Sequence, residues 1–125
     1  MNLFENVRKQ GALNLDGNSW AEVHDNGSLD FGTGDFTLEA WAKLQYTNTG
    51  SSVNAILSIG TTSALTLIGM NNPSSIVALV AGTGAYEVAT SGNWAHIVLT
   101  KEGTSCKLYV DAINTDTVTG TIDIT

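Results

Sequence analysis

Apolar residues recur along this chain at every second position or in short runs, and Gly, Asn, Asp or Ser brackets each run. Side chains that alternate with period two belong to half-buried strands, whereas a helix would repeat at three and four. About ten such runs are present by that criterion. The spacing predicts an all-β, antiparallel β-sandwich, with no helix beyond residue 10.

The longest predicted strand covers 36–44. Phe36, Leu38, Ala40, Ala42 and Leu44 share its core face, and Thr37, Glu39, Trp41 and Lys43 share the other. Trp41 then needs cover from a loop or a curved neighbour. Ahead of this strand, 12–15 and 20–23 predict a first hairpin around Asp16-Gly17-Asn18, where Asp bonds its own backbone and Gly takes positive φ. Residues 24–28 form a second turn, and 29–34 a loop whose Leu29 and Phe31 plug the end of the core. The polar stretch 46–52 is a surface loop suited to recognition. Strands follow at 53–59, 64–70, 76–81 and 86–89, with Pro73, the single proline, in a turn. Segments 94–101 and 106–111 pair across Glu102-Gly103 as a hairpin. The tail 114–125 alternates Thr with Val118, Ile122 and Ile124 and leaves an unpaired edge. No repeat or linker interrupts the chain, so 1–125 reads as a single domain, with 1–10 as an N-terminal arm.

Composition narrows the function. Apolar residues make up 42% and charged residues 14%, with 13 glycines, which suits short strands and turns. The net charge is −7, and the basic residues Arg8, Lys9, Lys43, Lys101 and Lys107 are scattered after the first pair. Nucleic-acid binding needs clustered cations, so no nucleic-acid partner is expected. Cys106 is the only cysteine, which excludes an intrachain disulfide and fits a buried thiol. No segment has the apolar length of a secretory signal or a membrane helix, so the chain is expected to be made in the cytosol without a membrane partner.

Four segments carry a family resemblance. Residues 12–23, ALNLDGNSWAEV, resemble the opening hairpin of laminin-G-like, concanavalin-A-like lectin/glucanase domains. GDFTLEAWAK at 34–43 is similar to that family's "DFTLEAWVK" strand, NWAHIVLT at 93–100 to its "WHHVALT" strand, and KLYVD at 107–111 to "LYVDG", with Ala112 in place of Gly. The four stand in family order over 12–112, which implies the same jelly-roll sandwich. Family domains usually continue with a late "GxIDEVRIY" segment, which Gly120-Thr121-Ile122-Asp123 echoes close behind Asp111. The expectation is a sandwich that lacks the usual last strands or takes them from another subunit by strand addition.

The candidate chemistry is sparse. Hydrolases of this fold set two carboxylates across a cleft, in a Glu-x-Asp-x-Glu strand pattern that is absent here, so Glu39 reads as a lone structural carboxylate rather than an acid catalyst. His24 and His96 lack metal-pair spacing, and His96 reads as a packed strand histidine. No Gly-x-Ser-x-Gly turn is present, and no serine triad is assigned. No catalytic or metal-ligating residues are therefore assigned, and the ligand-binding residues stay open. Calcium is the ion the sequence favours if any binds: Asp16, Glu22, Asp25, Asp30 and Asp111 are hard ligands near loops, although such residues more often cap turns. The resemblance implies core positions for Trp41 and Trp94. Trp20, beside a turn, remains as a sugar platform or as a core edge.

The expected function is a non-catalytic, surface-presented structural or adhesion module. The setting expected for it is a virion, as a phage capsid decoration or fibre component, in a homo-oligomer or larger assembly that binds a glycan or protein surface. The alternatives are a stand-alone carbohydrate-binding lectin-like module and a fragment of a larger secreted adhesin or glycosidase.

Overall fold

The computed structural model describes residues 11–15, 19–24, 26–43, 54–59, 66–72, 75–80, 85–89 and 93–119. Within them lie β1 (Phe36–Lys43), β2 (Asn54–Ile59), β3 (Thr66–Asn72), β4 (Ser75–Val80), β5 (Ala85–Ala89), β6 (Trp94–Glu102), β7 (Ser105–Val110) and β8 (Ile113–Thr119). They form two four-stranded antiparallel sheets, ordered β1-β6-β7-β8 and β2-β3-β4-β5. The described residues contain no helix. After β1 the chain builds the whole second sheet as a meander and then returns, so that β6 pairs with β1. That return closes a β-sandwich, because the first sheet is apolar on one face and β2 of the second sheet packs against it.

The core follows from strand parity. Along β6 the burial alternates without a break, with Ala95, Ile97, Leu99 and Lys101 inward. Register then aligns inward rows across the first sheet: Ala40, Ile97 and Val110; Leu38, Leu99 and Leu108; Phe36, Lys101 and Cys106. Ile97 and Leu99 are fully buried. From the other layer Ile56, Leu57 and Ile59 pack against this cluster. Two consecutive residues reach the core there because register shifts between Ala55 and Leu57, and a bulge reverses the alternation for one residue. Cys106 lies wholly inside, and burial pushes its thiol up, with the Lys101 charge opposing part of that rise. It is a packing residue, held protonated.

The loop before β1 is fastened at two points. Phe31 stacks on Phe36 with ring centroids 5.6 Å apart, which is the core plug the sequence predicts. Lys101, a residue only 3% exposed, donates from its ammonium to the Thr33 carbonyl at 2.6 Å and the Gly34 carbonyl at 2.9 Å. Gly34 also has a steric role, since a Cβ on it would stand 2.8 Å from the Phe31 carbonyl oxygen. The Asp35 carboxylate accepts the Gly103 amide at 2.7 Å, tying the loop to the β6–β7 turn.

Both hairpins of the first sheet use two-residue loops. In the β6–β7 turn Gly103 has φ +57°, the first central position of a type II′ turn. In the β7–β8 turn Asp111 and Ala112 both have positive φ, 50° and 65°, the type I′ pattern. Ala112 occupies a left-handed position that glycine takes without strain, where an L side chain costs about 1–2 kcal/mol. Ala112→Gly is therefore expected to stabilise the fold by about 1 kcal/mol, read as a higher urea midpoint at unchanged slope. No gain would mean that the turn relaxes away from this geometry.

Three expectations need correction. The first hairpin is not formed among the described residues: 11–15 and 19–24 belong to no strand, and Leu13, Leu15, Trp20 and Val23 are all exposed. A two-stranded ribbon is marginal alone, and neither segment joins a ladder that would bury its apolar side chains. Trp41 and Trp94 are not core residues but lie exposed on the outer face. Parity with Glu39 and Lys43 on β1, and with the half-buried His96 on β6, places them there. Trp20 is no core edge either, being 78% exposed. The arm 1–10, the turn 16–18, the loop 46–52, Leu44, Pro73 and the segment 120–125 lie outside the described residues.

Candidate functional site

The inner face of the first sheet is occupied by the core, so chemistry on this sheet belongs to its outer face. There the register sets Lys43 opposite Trp94, Trp41 opposite His96, Glu39 opposite Val98 and Thr37 opposite Thr100. On the next strand Tyr109 stands opposite Val98, and Lys107 opposite Thr100. The end of the sheet near Trp94 thus combines aromatic rings with Lys43, and the other end carries hydroxyls and Lys107.

Trp41 and His96 stack with ring centroids 4.9 Å apart and planes 20° from parallel. His96 Nε2 lies 3.5 Å from Glu39 Oε2, an ion pair whenever the imidazole is protonated. The His96 backbone is fixed from the opposite side by a single residue. Its amide donates to the Asp111 carboxylate at 2.9 Å, and its carbonyl accepts the Asp111 amide at 2.9 Å. Asp111 reaches that position because the β7–β8 turn starts there, so turn geometry and ring placement are coupled. One face of the Trp41 ring stacks on the imidazole, and the residue still remains 66% exposed. Trp94, 50% exposed, sits two residues before His96 on the same face, a diagonal neighbour of Trp41 at about 7–8 Å.

The arrangement offers a flat aromatic surface with Glu39 and Lys43 flanking Trp41 on the same face of β1. Glu39, the lone carboxylate of the sequence analysis, is half of the His96 pair. Glu102, on the same face of β6, stands four residues from Val98, the partner of Glu39. At about 3.4 Å per residue that is about 14 Å along the strand, outside the roughly 5–9.5 Å at which paired carboxylates cleave glycosidic bonds.

The other candidates are dispersed. Glu22, His24 and Asp30 are exposed on the segments before β1, and Asp16 and Asp25 lie outside the described residues. Among the described residues no three His, Cys, Asp or Glu side chains converge as metal ligands. Asp111, one of the calcium candidates, spends its carboxylate on the His96 amide. Trp20 is open to solvent but stands on a segment outside both sheets. Among the described residues no helix is long and apolar enough to cross a membrane.

The family resemblance implies core positions for Trp41 and Trp94 and leaves Trp20 as the platform candidate. The signal for the reverse was already present in the alternation Thr37, Glu39, Trp41, Lys43, which assigns Trp41 to the face of two charged residues.

Compared with known proteins, the chain matches the family model described as the concanavalin A-like lectin/glucanases superfamily, over residues 15–125. No curated protein and no solved structure matches it.

Proposed function

Because the chain belongs to the concanavalin A-like lectin/glucanases superfamily, whose fold serves both binders and hydrolases, we propose that it is a non-catalytic adhesion module. Its working surface is the outer face of β1 and β6, held against a glycan or protein surface. The observation that carries this reading is the exposed Trp41 ring backed by His96. Leaving a large aromatic in water forgoes about 1.5–3 kcal/mol of burial, and here the ring is also held in place by a stacked neighbour whose backbone Asp111 clamps. A preorganised aromatic surface of this kind loses little entropy when a partner covers it.

The non-catalytic part of the proposal is supported by the spacing of Glu39 and Glu102, the two carboxylates on this face of β1 and β6 among the described residues. The setting of the proposal is a virion or other particle, where the module serves as a capsid decoration or fibre component in a homo-oligomer or larger assembly. That setting draws support from the sheet order: β1 and β8 are edge strands of the first sheet among the described residues, and free edges accept strands from a neighbouring subunit.

The test is retention of the purified chain on a panel of immobilised glycans and cell-surface proteins. Retention by at least one of them is expected to fall on the order of tenfold in Trp41→Ala, the loss of about 1.4 kcal/mol, and to be unchanged in Trp20→Ala, with no release of reducing sugar. Equal retention of Trp41→Ala and wild type, or sugar release that depends on Glu39, would contradict the reading.

A further inference from the structure

We infer that the partner of this face is a second copy of the chain, two copies associating through their Trp41 surfaces about a two-fold axis. The inference rests on the Trp41 face being the working surface proposed above, and it names the protein surface that covers it. Three observations converge on a second copy.

The first is the order of charges on β1. Glu39, Trp41 and Lys43 follow one another on its exposed face, an acid, an indole and a base at every second residue. A two-fold axis that lies in the plane of contact and crosses β1 at Trp41 lays the two β1 strands antiparallel over each other. Glu39 then meets Lys43 of the second copy, Lys43 meets Glu39 of the second copy, and indole meets indole. A two-fold contact needs this self-complementarity within one patch. An axis along the strand would instead set Glu39 on Glu39 and Lys43 on Lys43, so the charges also select the orientation. Among the described residues Lys43 has no carboxylate within ion-pair distance, and Glu39 keeps acceptor positions beyond its contact with His96.

The second is that β6 fits the same axis. Trp41 pairs in register with His96, Glu39 with Val98 and Lys43 with Trp94. A half-turn about the Trp41–His96 line therefore exchanges Val98 with Trp94. The exposed Trp94 of each copy falls on the half-buried Val98 of the other, so apolar groups meet on β6 while opposite charges meet on β1.

The third is size. With eight residues along β1 and four strands across, the face measures about 27 by 19 Å, or roughly 500 Å² per copy. Two copies then cover about 1,000 Å², the lower limit of a specific interface. A reversible dimer with a dissociation constant on the order of tens of micromolar is expected.

The competing contact is edge-to-edge pairing through β1 or β8, which leaves the outer face open. Sedimentation equilibrium separates the two, on wild type, Glu39→Lys, Lys43→Glu, Trp41→Ala and Trp20→Ala at loadings from about 1 µM to about 1 mM, each checked for an unchanged far-ultraviolet spectrum. Wild type is expected to dimerise, and Glu39→Lys, Lys43→Glu and Trp41→Ala to do so on the order of tenfold less tightly or worse. Trp20→Ala should match wild type. An equimolar mixture of the Glu39→Lys and Lys43→Glu chains should recover wild-type dimerisation, because in the mixed dimer both pairs across the axis are again acid on base.

A wild type that stays monomeric throughout would overturn the inference. So would charge reversals that associate as tightly as wild type, the result edge pairing gives, or a mixture no tighter than its components. If wild type stays monomeric while Trp41→Ala loses retention on a foreign surface, the self-association inference fails and the adhesion reading stands. If Trp41→Ala alters neither association nor retention, both fail.

Discussion

Replacing Lys101 with alanine is expected to destabilise the fold by about 3–5 kcal/mol, and replacing it with methionine by roughly half as much. Lys101 is a charged residue in a core row, between Phe36 on β1 and Cys106 on β7. Its stem packs in the sandwich, and its ammonium emerges at the end of the core to hold the Thr33 and Gly34 carbonyls. Alanine removes both contributions: three methylenes at about 0.8 kcal/mol each, and hydrogen bonds from a charged donor at about 1.5–3 kcal/mol. Methionine restores the stem and leaves the carbonyls to water, so the difference between the two variants isolates the packing part. Urea midpoints at constant slope measure it. A methionine variant as stable as wild type would show that the carbonyl anchor adds nothing beyond the desolvation of the charge.

Leu99→Ala should cost about 2–5 kcal/mol, and Val98→Ala, one residue away, under about 1 kcal/mol. Leu99 is fully buried, between Leu38 and Leu108 in the middle inward row. A cavity at that point opens toward β2, whose Ile56, Leu57 and Ile59 pack on the same cluster. Val98 faces outward between Glu39 and Tyr109 and is only half-buried. Against a typical domain stability of about 5–15 kcal/mol, that loss is a large share of the margin. Similar losses at the two positions would mean that β6 does not separate a core face from a solvent face.

Strand parity was the most legible signal in the sequence. The alternation in 36–44 predicts both faces of β1, and the hairpin across Glu102-Gly103 appears as β6 and β7 with a two-residue loop. Segments 53–59, 64–70, 76–81 and 86–89 correspond to β2 to β5, displaced at their ends by one or two residues. The tail pattern becomes β8, which begins at Ile113 because the strained Asp111-Ala112 pair turns the chain so tightly.

The failures share a cause. For 12–15 and 20–23 the alternation predicts strands that the structure does not form, because a strand needs a ladder partner and local pattern carries no information about one. For Trp41 and Trp94, the expectation that a tryptophan in a family motif belongs to the core outweighed the parity that put both on the outer face. The Trp41–His96 stack could have been inferred by pairing the two strand motifs in register. The Asp111 clamp on His96 could not, because it depends on a backbone turn and a side-chain direction that no spacing encodes. The Lys101 anchor was equally hidden, since a lysine at the end of a strand ordinarily points to water.

Oxidative footprinting of the tryptophans by hydroxyl radicals, read residue by residue with and without a bound partner, tests the central claim most directly. Trp41 in the free protein should oxidise at a rate typical of an exposed indole, and binding should slow it several-fold while leaving Trp20 unchanged. A Trp41 that oxidises as slowly as a buried ring in the free protein, or protection that falls on Trp20 and spares Trp41, would contradict the account.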